Sequence, residues 1–123
     1  MLEFSDRVAV VTGSSSGIGE AIAHRLSQLG ATVVVNSASS VEAGEAVSEA
    51  LPGESSYIRA DISLQHEGHE LIDQTIARYG RLDYLINNAG WTTVVPHRQL
   101  EALTDDIFRK TFEVNVFGTW WLT

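Results

Sequence analysis

The sequence predicts an α/β fold, a doubly wound parallel sheet of Rossmann-like type with strand order 3-2-1-4. Three observations carry that expectation. Short, β-branched, wholly apolar runs alternate with longer stretches at helical spacing, as successive βαβ units require. A glycine- and serine-rich turn joins the first apolar run to the first helical stretch. The 123 residues include no cysteine, yet suffice for one domain, residues 1–123, with a core that needs no cross-links.

The elements follow in order. Val8-Ala9-Val10-Val11 has no polar face, which marks a strand buried on both sides. From Gly17 the spacing changes: Ile18, Ile22, Leu26 and Leu29 recur every three or four residues, with Glu20, His24, Arg25 and Gln28 between them. Gly30 is a suitable stop. Val33-Val34-Val35 is a second strand, and a helix over 40–51 turns Val41, Val47 and Leu51 inward until Pro52-Gly53 breaks it. Residues 56–59 form a third strand ending near Asp61. A helix over 64–79 carries Leu71, Ile72, Ile76 and Tyr79 on one face, with Gly68 weakening its first turns. Tyr84-Leu85-Ile86 is the fourth strand, and 91–102 is a loop containing Pro96. Thr104-Asp105-Asp106 then caps a last helix running toward Thr123. Right-handed crossovers give the order 3-2-1-4, and a sheet of this kind is expected to be incomplete on the strand 4 side.

Charge and composition exclude several function classes. Sixteen acidic against eight basic residues give a formal charge of −8, and the basic residues are scattered, so a nucleic-acid partner is not expected. No apolar run approaches the length that spans a bilayer, so no membrane role is expected. Glu3, Asp6 and Arg7 interrupt the N-terminal apolar run, which argues against a signal peptide and for a cytoplasmic location. His66-Glu67-Gly68-His69-Glu70 lacks the HExxH spacing, so no metal is expected.

Chemistry concentrates in Thr12-Gly13-Ser14-Ser15-Ser16-Gly17-Ile18-Gly19, between strand and helix. Gly13 permits a tight exit from the strand. Gly17 lets backbone approach a pyrophosphate, and Gly19 lets the helix pack closely, while free N–H groups at the helix start face the anion. A plain turn is the alternative. A Walker loop is excluded, because Glu20 stands where its lysine would be. Elsewhere, Asp61 could cap the next helix, and Asn87 and Asn88 could be turn residues. Asn115 shares a helical face with Phe108, Thr111, Phe112 and Leu122, and by itself reads as a hydrogen-bonded core asparagine.

Taken jointly, TGSSSGIG at 12–19, Asp61 after the third strand, Asn87-Asn88-Ala89-Gly90 after the fourth and Asn115 in the last helix resemble the short-chain dehydrogenase/reductase family. The resemblance implies that Thr12, Gly13, Ser14, Ser16, Gly17, Ile18 and Gly19 bind the cofactor's pyrophosphate end. It implies that the Asp61 side chain and the Ile62 N–H hold adenine, that Asn88, Ala89 and Gly90 line the cofactor, and that Asn115 organises a proton relay. It further implies NAD(P)-dependent hydride transfer between a nicotinamide and a carbonyl or alcohol, most like the 3-oxoacyl-carrier-protein reductase type. The substrate would be a small-molecule or acyl-carrier-linked carbonyl compound. An acidic residue ending strand 2 would favour NAD(H). Here Asn36-Ser37-Ala38-Ser39-Ser40 has no acid, and its small hydroxyl and amide donors, Asn36 and Ser37 first, favour NADP(H), although no arginine is there to grip a phosphate.

The family's tyrosine with a lysine four residues later is absent. Tyr57, Tyr79 and Tyr84 are followed at that spacing by Asp61, Asp83 and Asn88, and Lys110, the sole lysine, is preceded by Asp106. The resemblance therefore covers about the N-terminal half of a family member, and this chain alone is expected to be inactive. A catalytically inactive nucleotide-binding fragment, or a structural fragment complementing another chain, remain open. Phe108, Phe112, Val116 and Trp120 recur at four-residue intervals, broadened by Phe117 and Trp121. The family's corresponding helix forms a subunit interface, which implies a homo-oligomer through this helix.

Overall fold

Four strands run parallel in the order β3-β2-β1-β4 in the computed structural model, which describes residues 1–123. They are β1 (Val8–Val11), β2 (Thr32–Ser37), β3 (Ser55–Arg59) and β4 (Tyr84–Ile86). Val10 stands opposite Val34 on one side and Leu85 on the other, which fixes the register of the central pair. The intervening helices are α1 (Gly17–Gln28), α2 (Val41–Ala50) and α3 (Gln65–Tyr79). A 3₁₀ turn at Leu100–Ala102 precedes α4 (Asp105–Phe112), which continues through a wider π-type stretch, Glu113–Gly118, into α5 (Thr119–Leu122). The Thr104 Oγ1 accepts the Ile107 N–H at 3.4 Å, as its capping position predicts.

Successive strand side chains point to opposite faces, and both faces are covered. Val11, Val33 and Val35 pack with Ala23, Ala31, Val47 and Leu51 beneath α1 and α2. Val10 and Val34 pack with Ala60, Ile62, Leu71 and Leu122 beneath α3 and the last helix. This double cover explains why β1 and the centre of β2 lack any polar face.

The inner faces of the helices match the expected ones in part: Ile22, Leu26, Val47, Leu51, Leu71, Ile72 and Tyr79 pack on the core. The buried positions of α1 are Gly19, Ala23 and Ser27, whereas Ile18 is 74% exposed. In α2, Val47 is buried and Val41 is exposed, and in α3 the buried positions are Gly68, Leu71 and Thr75 while Ile76 is exposed. Small residues take the positions of closest approach, and Ile18, Val41 and Ile76 are displaced to the surface. Gly68 leaves room for a methyl group, since a Cβ there would lie at an ordinary contact distance, 3.5 Å, from Leu122 Cδ2.

At the opposite end of the sheet Asp83 ties β4 to β1. Its carboxylate accepts the Val8 N–H at 2.9 Å and both Nε and Nη2 of Arg81 at 2.8 Å. The Arg81 hydrogen bonds, and then the Val8 N–H, hold that carboxyl below the usual aspartate range. On the last helix Phe108, Phe112, Val116, Phe117 and Trp120 are all exposed, and only Gly118 and Leu122 are buried. No helix is long and apolar enough to cross a membrane.

Candidate functional site

In a parallel sheet every strand ends at the same edge, so the loops leaving β1, β2, β3 and β4 converge. They enclose a cleft of about 820 Å³. Its walls are Gly13, Ser15, Ser16 and Ile18 after β1, Asn36–Ser40 after β2, Arg59–Ser63 after β3, and Asn88–Trp91 after β4, with Lys110 and Val114 from α4 and the π-type stretch.

The loop after β1 is held from beneath. Thr12 is fully buried, and its Oγ1 accepts the N–H groups of Asn88 at 3.1 Å and Ala89 at 3.0 Å while donating to Ile86 O at 3.4 Å. Ser14 is equally buried, its Oγ donating to Val11 O at 2.6 Å and accepting the Asn36 N–H at 3.0 Å. Gly13 has φ +62°, and a Cβ there would stand 2.8 Å from Ala89 Cα. A Cβ on Gly19 would stand 2.5 Å from both Asn88 Nδ2 and Gly13 O. Gly17, with φ +59°, faces open space instead. The first-turn N–H groups of α1 at Gly17, Ile18 and Gly19 have no partner within the chain, and Ser16, the N-cap, places no side chain on them. Four such groups are the usual anion-binding feature of a helix start.

Asn36 is 1% exposed and its amide is fully engaged. Oδ1 accepts the Gly13 N–H at 3.3 Å, and Nδ2 donates to Ile58 O at 3.1 Å and Ala60 O at 3.2 Å. It pins the ends of β1, β2 and β3 together, and has no donor left for a ligand. Ser37 is also buried, with Oγ 2.6 Å from the Tyr57 hydroxyl.

Asp61 is not the cap of α3, whose N-cap is Leu64. Its Oδ1 accepts the Ser63 N–H at 3.0 Å and the Ser63 hydroxyl at 2.6 Å, which shapes the turn and leaves Oδ2 without a partner in the chain. Asn88 braces the site through Nδ2, which donates to Thr12 O at 3.1 Å and Gly13 O at 3.0 Å. Asn87 lies outside the cleft lining, its Nδ2 3.4 Å from Thr123 Oγ1.

Asn115 is exposed, so the core-asparagine alternative does not hold. Its Oδ1 accepts the Trp91 N–H at 2.7 Å, and its Nδ2 donates to Trp91 O at 2.9 Å. The side chain thus clamps the segment after Gly90 to the π-type stretch, and Lys110 Nζ lies 4.4 Å from the centroid of the Trp91 ring.

The expected residues therefore sort into two layers. Gly13, Ser16, Ile18, Asn36, Ser37, Asp61, Ile62, Asn88, Ala89 and Gly90 line the cleft, while Thr12, Ser14, Gly19 and Asn115 support it; Gly17 falls in neither layer, being exposed and outside the lining. The sequence reading missed Arg59, and its expectation that no arginine stands near the end of β2 is corrected. Arg59 pairs with Ser37 in the β2–β3 register and donates through Nε to Ala38 O at 2.8 Å. The signal was available: parallel pairing of β3 beside β2 puts the last residues of both strands together.

Free N–H groups at a helix start, a free carboxylate oxygen and a cleft of this volume lined by both loops fit a dinucleotide. Comparison with known proteins agrees in kind. Residues 7–123 match the sequence profile of the short chain dehydrogenase family. A Streptomyces violaceoruber protein named as ketoacyl reductase 2 of the granaticin polyketide synthase is 51% identical over 116 residues, covering 94% of this chain and 46% of its own length. An uncharacterized oxidoreductase of Methylorubrum extorquens is 41% identical over 121 residues, covering 96% of this chain and 48% of its own length. A metagenomic short-chain oxidoreductase solved in complex with NADP superposes with a TM-score of 0.89 at 34% identity, over 97% of this chain and 54% of that one. The chain spans about half the length of the curated relatives it matches.

Proposed function

The chain belongs to the short-chain dehydrogenase family, and from that premise we propose that it holds NADP(H), in preference to NAD(H), for reduction or oxidation of a carbonyl–alcohol pair. The observation that carries dinucleotide binding is the set of unpartnered N–H groups at the start of α1, flanking the cleft, and the acid-free serine-rich stretch after β2 supports the preference for NADP(H). In this reading Gly17, Ile18 and Gly19 present those groups to the pyrophosphate, and the helix dipole adds a favourable field. Asp61 Oδ2 and the Ile62 N–H hold the adenine edge. Asn88, Ala89 and Gly90 form the wall beside the nicotinamide half, and Asn115 keeps that wall fixed through its two bonds to Trp91. The bound cofactor supplies or accepts the hydride. The name of the granaticin relative supports a substrate of the 3-oxoacyl thioester kind.

A second reading, nucleotide binding without turnover by residues 1–123 themselves, is favoured by one observation: no tyrosine here has a lysine four residues on. An unassisted tyrosine near pKa 10 is a poor proton donor or acceptor at neutral pH, and positioned acid–base groups contribute about 10²–10⁴-fold. Steady-state turnover by the 123-residue chain would eliminate this second reading.

Calorimetric titration with NADPH and NADH tests the first. Binding is expected for both, tighter for NADPH, and lost in Gly17→Val, because a branched side chain is strained at φ +59° and fills the open space above the helix start. Unchanged binding in that variant would remove the glycine loop from the site.

A further inference from the structure

Resting on that reading of the cleft, we propose that Arg59 selects a phosphorylated adenosine ribose and that Glu67 restrains how strongly it does so. Arg59 lies at the last position of β3, beside the serine-rich stretch that follows β2. Its guanidinium spans two elements: Nε donates to Ala38 O at 2.8 Å, and Nη1 pairs with Glu67 Oε1 on α3. Nη2 has no partner in the chain, and the residue lines the cleft with Ser37, Ser39 and Ser40. The two existing bonds hold the planar fork in place, so little further freedom is lost when the third nitrogen takes an anion. A phosphate on the ribose hydroxyl offers that anion; a bare hydroxyl does not.

Glu67 gives the arrangement its second property. Its side chain is only 15% exposed, and the same Oε1 that pairs with Arg59 accepts the Asp61 N–H at 3.1 Å. One carboxylate therefore fixes the Asp61 turn and also neutralises part of the arginine charge beside the ribose end of the cleft. A phosphate there is drawn by the guanidinium and repelled by Glu67, so the net preference is set by the pair. Serine-rich walls alone discriminate weakly. The cation in reach supplies the discrimination, and its carboxylate partner limits it.

The adenosine half isolates this effect, so the probes are adenosine 2′,5′-bisphosphate and 5′-AMP, titrated calorimetrically into the protein at low and high salt. The native protein is expected to bind the bisphosphate more tightly, with a gap that narrows as salt screens the charges. In Arg59→Gln the gap should shrink by about tenfold, the usual worth of a hydrogen bond to a charged group. Arg59→Lys should fall between, since it keeps the charge without the fork. In Glu67→Gln the amide oxygen can still accept the Asp61 N–H, and the gap should widen. An unchanged gap in Arg59→Gln, with both probes still bound, overturns the assignment and leaves the cleft reading standing. A narrower gap in Glu67→Gln overturns the restraining role. Failure of both probes to bind the native protein overturns the cleft reading and this inference with it.

Discussion

Thr12 places one hydroxyl among three backbone groups, and no smaller or purely apolar side chain can replace it without loss. Thr12→Val keeps the volume and the buried position but leaves the Ala89 N–H without its acceptor and the Asn88 N–H with Ile86 O alone. Loss of about 2 kcal/mol in urea unfolding is expected, within the usual cost of an unsatisfied buried donor, while Thr12→Ser should retain most of the stability. Equal unfolding midpoints for native and Val forms would contradict the brace. Residues of this kind were legible in the sequence by type and place, but not by direction. Thr12, Ser14 and Asn36 sit at strand ends, where alternation decides whether a polar group meets solvent or a neighbouring strand. Arg59 was not legible as a cleft residue by linear distance, because its nearness to Ser37 comes only from the register of β3 on β2.

At the scale of elements, β1 and the middle of β2 were legible because burial on both faces leaves no polar residue in Val8–Val11 or in residues 33–35. The helix faces were legible in part: Ile22, Leu26, Val47, Leu71 and Ile72 do pack on the core, but Ile18, Val41 and Ile76, also taken to point inward, are exposed. Gly19, Ala23 and Ser27, spaced by four, are the true inner stripe of α1, and small residues at that spacing are the sign of close approach. Gly19→Ala therefore sets two effects against each other. Helix propensity gains up to about 1 kcal/mol, whereas forcing a methyl group against backbone and a hydrogen-bonded amide costs about 1–3 kcal/mol. The clash wins, since Gly13 O is main chain and Asn88 Nδ2 is committed to two carbonyls. A net drop in thermal midpoint is expected, and a rise would show that α1 can slide.

The β1–β4 tie makes a pH prediction at the same scale. Asp83 has its carboxyl depressed in the folded state, so its contribution is present above the unfolded aspartate value, about 4, and is lost as pH falls through the lower folded value. Urea midpoints measured across that acid range should fall less steeply for Asp83→Asn than for the native chain. Parallel slopes would show that Asp83 has no part in the acid response.

For the whole molecule, the strand order was legible from right-handed crossovers, and the last helix was legible as apolar around much of its girth. How little of it the sheet would take was not legible, because the π-type stretch Glu113–Gly118 resets the helical phase and leaves Gly118 and Leu122 as the contacts. Phe108, Phe112, Val116, Phe117 and Trp120 form an outward apolar face on a chain of net charge −8. Association of copies through this face is the expected outcome, since such a surface is a liability in water. Light scattering after size exclusion should give a dimer or larger species, shifted toward 13.4 kDa by Phe112→Glu with Trp120→Glu. A native monomer at high concentration would rule the face out as an interface.

The Asn36 amide, which ties the end of β2 to the ends of β1 and β3, also bears on how this protein tolerates change. A saturation library selected only for nucleotide retention should find Asn36 and Thr12 as intolerant as the glycines of the loop, although neither offers a free polar atom to the cleft. The exposed Ile18, by contrast, should accept many replacements despite standing in the wall itself. A binding map drawn from such a library would place the ligand one layer too deep, because selection acts on whatever fixes the backbone, and here that layer lies beneath the surface that the ligand meets.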